Sequence, residues 1–348
     1  MNFIHISNLT VENRKAKDIM LGPWCDGDNF FASTAKGFIF DGIISQEELE
    51  NRSSYCNIII DEFIILLANS LNSYHNEKYP VEFWRILLAN WLTSVVNNLH
   101  YYYAILSKID TTLLTDEFYI EVDTSFYYSD IRDPYLHMHS QEYIHSLVSF
   151  LVCRLNIPNV EIIEKDIIKL KLKKNGNDGL LKRIIRKVLD RNNASMVVFG
   201  IAGMKKKEII KVFIKNNFIS FPKLKIKGEN IDAKMDKDRC IIIEKPKDHF
   251  SGILIDFINK NIPASLMERF ELMVNNCNNY KNSDCFVASP GLYDDEQLFE
   301  LAMGRYNGAR IVNVHEAGNG MDKFSCSSNF LYKPFDVYYS WGFLSHVG

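Results

Sequence analysis

Residues that could carry out chemistry gather near the C-terminal end of the sequence, around a histidine that follows an apolar run. The stretch "ARIVNVHEAGNG" carries His315 at the end of what we expect to be a buried strand, and Glu316 and Gly318 follow it. An imidazole exchanges a proton near neutral pH, and it can also hydrogen-bond a sugar or a phosphate. We therefore interpret His315 as a candidate base or ligand-binding group. The alternative is a histidine that is hydrogen-bonded within the fold.

A second candidate loop follows an earlier apolar run, in "DCFVASPGLYDDEQ". There Ser289 comes after the predicted strand, and Asp294 or Asp295 is expected to cap the next helix. The N-terminal amides of such a helix can face an anion. Because parallel strands end at one edge of a sheet, and ligands bind at that edge in open α/β sheets, we expect Ser289 to lie near His315.

Aromatic and charged residues in the N-terminal third offer further contacts. "LGPWCDGD" places Trp24 and Asp26 after a short predicted strand, at a position where an acceptor could be received. Arg85 stands within the apolar helical pattern of "VEFWRILLANWL". A buried arginine needs an anion, and a carboxylate of the protein or one of a ligand would satisfy it.

Other patterns favour ordinary structural explanations. His137, His139 and His145 lie close together but lack a carboxylate or cysteine at zinc-binding spacing, so we predict no metal site. Gly200 and Gly203 follow a predicted strand, but their loop matches neither the P-loop nor the dinucleotide-binding fingerprint. The seven cysteines are scattered and form no C-x-x-C pair, which indicates reduced thiols rather than zinc ligands or disulfides.

The totals of the chain limit the class of protein. The chain has 348 residues, 47% of them apolar, which is enough for a sizeable core and about two domains. Its formal charge of −3 is nearly neutral and disfavours binding to nucleic acid. The first residues have no signal-peptide pattern, and charges interrupt the apolar runs before the ~20 residues of a transmembrane helix. We therefore expect a cytoplasmic globular protein.

The elements that must position these residues divide the chain into two regions. Residues 1–155 open with a short strand within 18–25 and continue with helices over 45–110 and 141–155, the first beginning at a Ser45–Glu48 capping box. Residues 156–348 alternate short β-rich runs with helices, which is typical of a parallel sheet covered on both faces. The predicted fold class is α/β: a Rossmann-like parallel sheet flanked by helices, with a large helical segment in the N-terminal third.

Four ordered landmarks resemble a family of transferases from bacterial O-antigen and surface-polysaccharide clusters. They are the opening "LGPWC", the segment "HNEKYPVEFWRILLANWL", the turn within "GARIVNVHEAGNG" and the closing "DVYYSWGF". The positions that match the family's pattern are Trp24 and Cys25, Trp84 and Arg85, His315 and Gly318, and Trp341 and Gly342. The chain departs from the family's Gln-His-Gly-Gly turn, since Val314 precedes the histidine and Glu316 follows it.

The resemblance implies a GT-B-like glycosyltransferase that needs no metal or cofactor and takes a nucleotide sugar as its donor substrate. His315 is the predicted catalytic residue. The residues predicted to bind substrate, from the spacing and the resemblance together, are Trp24, Asp26, Arg85, Ser289, Glu316, Gly318 and Trp341.

GT-B enzymes pair two Rossmann-like domains, and the resemblance relates this chain to the N-terminal half of such a fold, as one compact unit without the second domain. The implied partners are a glycan or lipid-linked glycan acceptor and a separate donor-binding domain or subunit. The resemblance also allows peripheral contact with the inner membrane, and no nucleic acid is expected. The alternative function is a non-catalytic module that binds a glycan or a partner protein.

Overall fold

The computed structural model shows an α/β protein with two parallel sheets and a set of long helices. It describes residues 2–6, 19–20, 25, 45–108, 118–122, 131, 140–155, 157, 160–164, 194–199, 208, 211, 215–216, 219–220, 240–241, 246–277, 280, 282–288, 294–314 and 333–339.

The first sheet has four strands, and every pairing within it is parallel. Its strands are β1 (Asn2–His5), β2 (Ile19–Met20), β3 (Phe118–Val122) and β4 (Val160–Glu164). They lie in the order β2-β1-β3-β4, so the chain adds strands first on one side of β1 and then on the other.

The second sheet has five strands and is also parallel throughout. Its strands are β5 (Met196–Val198), β6 (Ile219–Ser220), β7 (Cys285–Ala288), β8 (Arg310–Val314) and β9 (Val337–Tyr339). Their order, β6-β5-β7-β8-β9, again reverses direction around the first strand. Such an order, 2-1-3-4-5 within the sheet, occurs in doubly wound α/β proteins.

Six α-helices surround the sheets within the part of the chain that the structure describes. They are α1 (Gln46–His75), α2 (Val81–Leu106), α3 (Gln141–Leu155), α4 (His249–Asn261), α5 (Phe270–Asn276) and α6 (Asp295–Tyr306). Capping boxes begin three of them, at Ser45, Asp248 and Asp294. Each cap satisfies amides that the first helical turn leaves without partners.

Helix α2 is the central element of the molecule. Its buried residues lie on nearly every side, as expected of a helix enclosed by others. It packs against α1 and α3, and also against α4 and α6 of the C-terminal half. One continuous apolar core runs from Ile4 and Ile120 of the first sheet to Phe286 and Ile311 of the second.

Aromatic contacts fix the direction in which α2 runs. Tyr79, just before α2, lies 5.0 Å from Tyr306 at the end of α6, measured between ring centroids. Further along α2, Trp84 stacks on Phe270 at 5.2 Å, and Phe270 contacts Phe299 nearer the start of α6 at 5.7 Å. The two helices are therefore antiparallel. Since α6 leads from the end of β7 back to the start of β8, α2 runs toward the side where those strands end.

A glycine lets α6 approach the second sheet closely. A Cβ atom at Gly304 would lie 2.3 Å from a ring carbon of Phe286 in β7, far inside van der Waals contact. Phe286 is fully buried and belongs to the common core. Larger residues at this position would push α6 away from β7.

One stretch within α1, Glu50–His75, is long and apolar enough to cross a membrane by length and composition, although we expected no such stretch. Within its most apolar window, 44% is buried inside the protein. Core helices of soluble proteins meet the same criterion, so this single helix is weak evidence for a membrane span.

The observed elements agree with the predicted α/β class, but the strands are divided between two sheets. We expected one sheet that begins after residue 156, but β4 pairs with β3 in the first sheet. The strands from Met196 onward form a second sheet. Helix α3 has the predicted bounds. In the region where we expected β-rich runs to alternate with helices, residues 264–276 form a 3₁₀ turn, Ala264–Leu266, followed by α5.

Candidate functional site

The carboxyl edge of the second sheet is the place where doubly wound proteins bind ligands. Strand order changes direction between β5 and β7, which pair directly through Val198 and Val287. On the other side of β7, Ala288 pairs with Asn313 of β8, so these two strands end side by side. A crevice is expected where the connections leave in opposite directions.

The predicted residues follow these strand ends in the sequence. Ser289 comes directly after Ala288, and His315 comes directly after Val314. Both lie outside the described residues, as do five other predicted site residues: Trp24, Asp26, Glu316, Gly318 and Trp341. Their assignment to a site therefore stays a prediction, while the two preceding strands do end next to one another.

The helix that follows β7 begins as the sequence predicted. The Asp294 carboxylate accepts a hydrogen bond from the Gln297 amide at 3.1 Å, and Gln297 completes the capping box. Asp295 has a different partner, because its carboxylate accepts from the amide of Ile131 at 3.1 Å. The buried Asp295 thereby connects α6 to a part of the chain that is distant in sequence.

Arg85 has a carboxylate of the protein as a partner. Its Nη1 donates to Asp61 Oδ1 at 2.6 Å, and the other oxygen of Asp61 pairs with Lys333. The Arg85 and Asp61 side chains are 15% and 28% exposed. Of the two anions considered from the sequence, the structure supplies the protein carboxylate. The ion pairs join α1 and α2 to the segment that precedes β9, and a substrate contact by Arg85 stays a prediction.

A cavity of about 330 Å³ lies between the N-terminal part of α1 and the C-terminal part of α2. Its lining residues, which combine charged, aromatic and apolar side chains, are Glu48, Asn51, Arg52, Tyr55, His100, Ala104, Ile105 and Lys108. Its volume falls at the lower end of the ~300–1,000 Å³ typical of small-molecule sites.

Two cations and one carboxylate set the charge of this cavity. Glu48 pairs with Lys108 and also accepts from the Ser45 amide. These hydrogen bonds, that of Lys108 first, lower the pKa of Glu48 to about 2. Arg52 donates from Nη2 to the carbonyl oxygen of Asn97 at 2.5 Å. Its guanidinium lies 5.5 Å from the centre of the Tyr101 ring.

His100 forms part of the cavity wall. Its ring lies 5.1 Å from Tyr55 and 4.7 Å from Phe250, between centroids, and its Nδ1 is buried without a hydrogen-bond partner. Burial, and then the charge of Arg52, lower the pKa of His100 to about 4, so the imidazole is neutral at pH 7. The Tyr55 hydroxyl donates to Asp248 at 2.9 Å. Burial, and then that carboxylate, raise the pKa of the Tyr55 phenol.

Comparison with protein families decides the class of this protein. Residues 6–347 match the model of the LIC12162 family transferase. The chain belongs to this family of transferases. No protein of curated function and no solved structure matches the chain.

The cavity of this transferase was not predicted from the sequence. Two of its residues, Arg52 and His100, are 48 positions apart and meet only because α1 and α2 pack side by side. The run "NLHYYY" around His100 was the available signal, since a histidine among tyrosines is unusual for a helix that is mostly apolar. No group of three or more metal-binding side chains occurs among the described residues.

Proposed function

We propose that this transferase moves a sugar from a nucleotide-activated donor to an acceptor of bacterial surface polysaccharide, and that its two sheets form the lobes of a GT-B-like fold. The observation that carries the proposal is the pair of parallel sheets, each with a strand order that reverses around its first strand. In doubly wound sheets, ligands bind at such a reversal. Membership of a transferase family over residues 6–347 supports a group-transfer reaction.

In this proposal the second sheet receives the donor. Its carboxyl edge is where nucleotide ligands bind in folds of this kind, and α6 begins on that side with a capped N-terminus. Ser289 and the first turn of α6 then contact the donor phosphates. The resemblance assigned donor binding to a separate domain, whereas in this proposal the second sheet binds the donor. The first sheet and the N-terminal helices bind the acceptor.

His315 is the proposed base. It removes a proton from the acceptor hydroxyl while the oxygen of that hydroxyl bonds to the anomeric carbon of the sugar. The bond from that carbon to the diphosphate oxygen breaks, and the nucleoside diphosphate leaves with the electron pair. Glu316 and Gly318 shape the turn around the imidazole, while the indole faces of Trp24 and Trp341 stack on sugar rings.

Arg85 is proposed to bind an anionic group of the substrate, and Asp26 to bind an acceptor hydroxyl. Because Asp61 already holds the Arg85 guanidinium, a substrate anion has to share it or displace that carboxylate. Peripheral contact with the inner membrane would bring a lipid-linked acceptor to this site.

The test is turnover of the full chain with a panel of nucleotide sugars and acceptor glycans, followed by release of nucleoside diphosphate and by the mass of the product. We expect His315→Ala to lower the rate by about 10²–10⁴-fold, the usual contribution of a general base. His249→Ala, at an exposed histidine of α4, is the matched control and should keep the wild-type rate.

Equal turnover by wild type and His315→Ala would remove His315 from the mechanism. If calorimetry shows that no nucleotide sugar binds the wild-type chain, the proposed transfer reaction is wrong. Binding of glycan without turnover would then identify a non-catalytic glycan-binding module.

A further inference from the structure

We propose that the cavity between α1 and α2 binds a small molecule of about monosaccharide size through a phosphate or carboxylate group, with Arg52 as its main contact. This inference does not rest on sugar transfer. It rests on the charges, the hydrogen bonds and the open volume at one end of the helical pair.

The charge of the cavity favours an anionic ligand. Arg52 and Lys108 bring two positive charges to the cavity and Glu48 brings one negative charge, so with a neutral His100 the lining has a net charge of +1. Lys108 and Glu48 neutralise one another. In the part of the chain that the structure describes, no carboxylate lies within 4 Å of Arg52. A partly buried guanidinium is stabilised by an anion, and a ligand can supply it.

The side chain of Arg52 is held in place for such a ligand. Its Nη2 is fixed on the Asn97 carbonyl, and its plane lies over Tyr101. Nη1 donates to none of the described residues. It is not fully buried, whereas Nε is. Among the described residues, Nη1 is thus the accessible donor without a partner. A planar guanidinium with a free donor matches the oxygens of phosphate and carboxylate groups.

The walls of the cavity suit the uncharged part of the ligand. Tyr55, His100, Ala104 and Ile105 form walls that are largely apolar, and the neutral His100 can donate or accept a hydrogen bond. Flat rings and a few polar atoms are typical of sites that hold sugars and similar ligands. A cavity of about 330 Å³ fits one such ring with its anionic group and excludes a dinucleotide.

The cavity also lies toward the side of the molecule on which the second sheet has its carboxyl edge. Helix α2 runs in that direction, and His100 is about 24 Å further along its axis than Trp84. A ligand bound in the cavity would therefore lie on the side of the molecule that holds this edge.

The experiment is calorimetric titration of the full chain with inorganic phosphate, glucose 1-phosphate and glucuronate. We expect the wild type to bind at least one of them. Arg52→Gln should weaken that binding at least tenfold, and Ala104→Trp, which fills the cavity, should do the same. Arg154→Gln is the control, because this arginine pairs with Asp256 on a different helix surface. It should bind as the wild type does.

A second readout follows the ring of His100 by NMR. A bound anion offsets the charge of Arg52, so the pKa of His100 should rise when the ligand is present. The groups around this ring are Arg52 of α1, Tyr55 of α1, Tyr103 of α2 and Asp248 before α4. If Arg52→Gln does not fold, Arg52→Lys keeps the charge without the planar fork and should still bind at least threefold more weakly.

The inference is overturned if none of the three probes binds the wild type, or if the cavity variants bind within twofold of it. None of the probes contains a nucleotide. Failure of sugar transfer therefore leaves this test intact, and absence of binding here does not affect the test of His315.

Discussion

The two ends of helix α2 carry similar side chains in opposite circumstances. At its start, Trp84, Phe83 and the neighbouring His75 are packed among aromatic rings. At its end, His100 lines a cavity together with Tyr55 of α1. We call the first region the aromatic end and the second the cavity end. Residue types alone therefore do not distinguish a packed core from the wall of a cavity.

At the aromatic end, the polar atoms of Trp84 and His75 have partners. The indole N–H of Trp84 donates to Asn72 Oδ1 at 2.9 Å, and His75 Nε2 lies 2.9 Å from the carbonyl oxygen of Leu266. His75 is also stacked on Phe270 at 4.1 Å. Burial lowers its pKa, so the ring is kept neutral and behaves as a core residue.

Polar atoms at the cavity end do not all have partners. His100 Nδ1 and Arg52 Nε are buried without hydrogen bonds. Each such atom costs roughly 1–3 kcal/mol. Such atoms also occur away from the cavity, as at Trp91 Nε1 and Ser265 Oγ. What distinguishes the cavity end is that the two residues with such atoms, Arg52 and His100, line an open cavity.

The largest expected effect tests the aromatic end. Trp84→Ala should lower the free energy of unfolding by about 3–5 kcal/mol, because it removes a fully buried indole and leaves a cavity. Urea denaturation of both proteins measures the difference. Ile58→Ala, at a residue that is 60% exposed, is the control and should change stability far less. Similar losses in both variants would show that Trp84 does not anchor the core.

An intermediate effect tests the cavity end. His100 has a folded pKa of about 4 against an ordinary value of 6.5, so the unfolded chain binds this proton more readily. Stability should therefore fall as the pH drops from about 6.5 toward 4. Between pH 7.5 and 5.0 this contribution amounts to about 1–2 kcal/mol.

Urea denaturation of wild type and His100→Gln at the two pH values isolates the effect of this histidine. The variant should lose about 1–2 kcal/mol less than the wild type over the same interval. An identical pH dependence in both proteins would mean that His100 is protonated as easily in the folded chain as in the unfolded one.

The smallest effect concerns the start of α1, beside the cavity. Ser45→Ala should cost about 1 kcal/mol, because it removes the side chain that caps the Glu48 amide. Ser54→Ala, at an exposed position inside the same helix, removes a hydroxyl without removing a cap. Thermal unfolding should show a lower midpoint for the first variant only, and equal midpoints would make the capping box unimportant.

Local signals in the sequence predicted much of the fold. The Ser45–Glu48 pair predicted the start of α1, and Asp294 was one of two residues predicted to cap α6. Such caps act over three residues, so the sequence itself contains them. Strands β1 and β3 were missed, and they pair with one another across 116 positions, from Asn2 to Phe118.

For the candidate sites as well, local patterns in the sequence predicted the elements but not the contacts between distant residues. The predicted strand before His315 is present as β8, and its neighbour β7 ends beside it, which periodicity and the rule for parallel sheets could predict. Arg85 was expected to need an anion, but its partner Asp61 depends on how α1 packs on α2. The cavity depends on contacts such as that of Tyr55 with Asp248, 193 positions apart, which no local pattern encodes.

Helix α2 belongs to both halves of the molecule, and this limits how the molecule could close around a substrate. A hinge needs a flexible connection between lobes that otherwise separate freely, whereas α2 packs on α3 near the first sheet and on α6 beside the second. Any approach of the two sheets must slide these helices past one another. Sliding motions of this kind are small, so substrate capture would depend more on loop movement than on the swing of a domain.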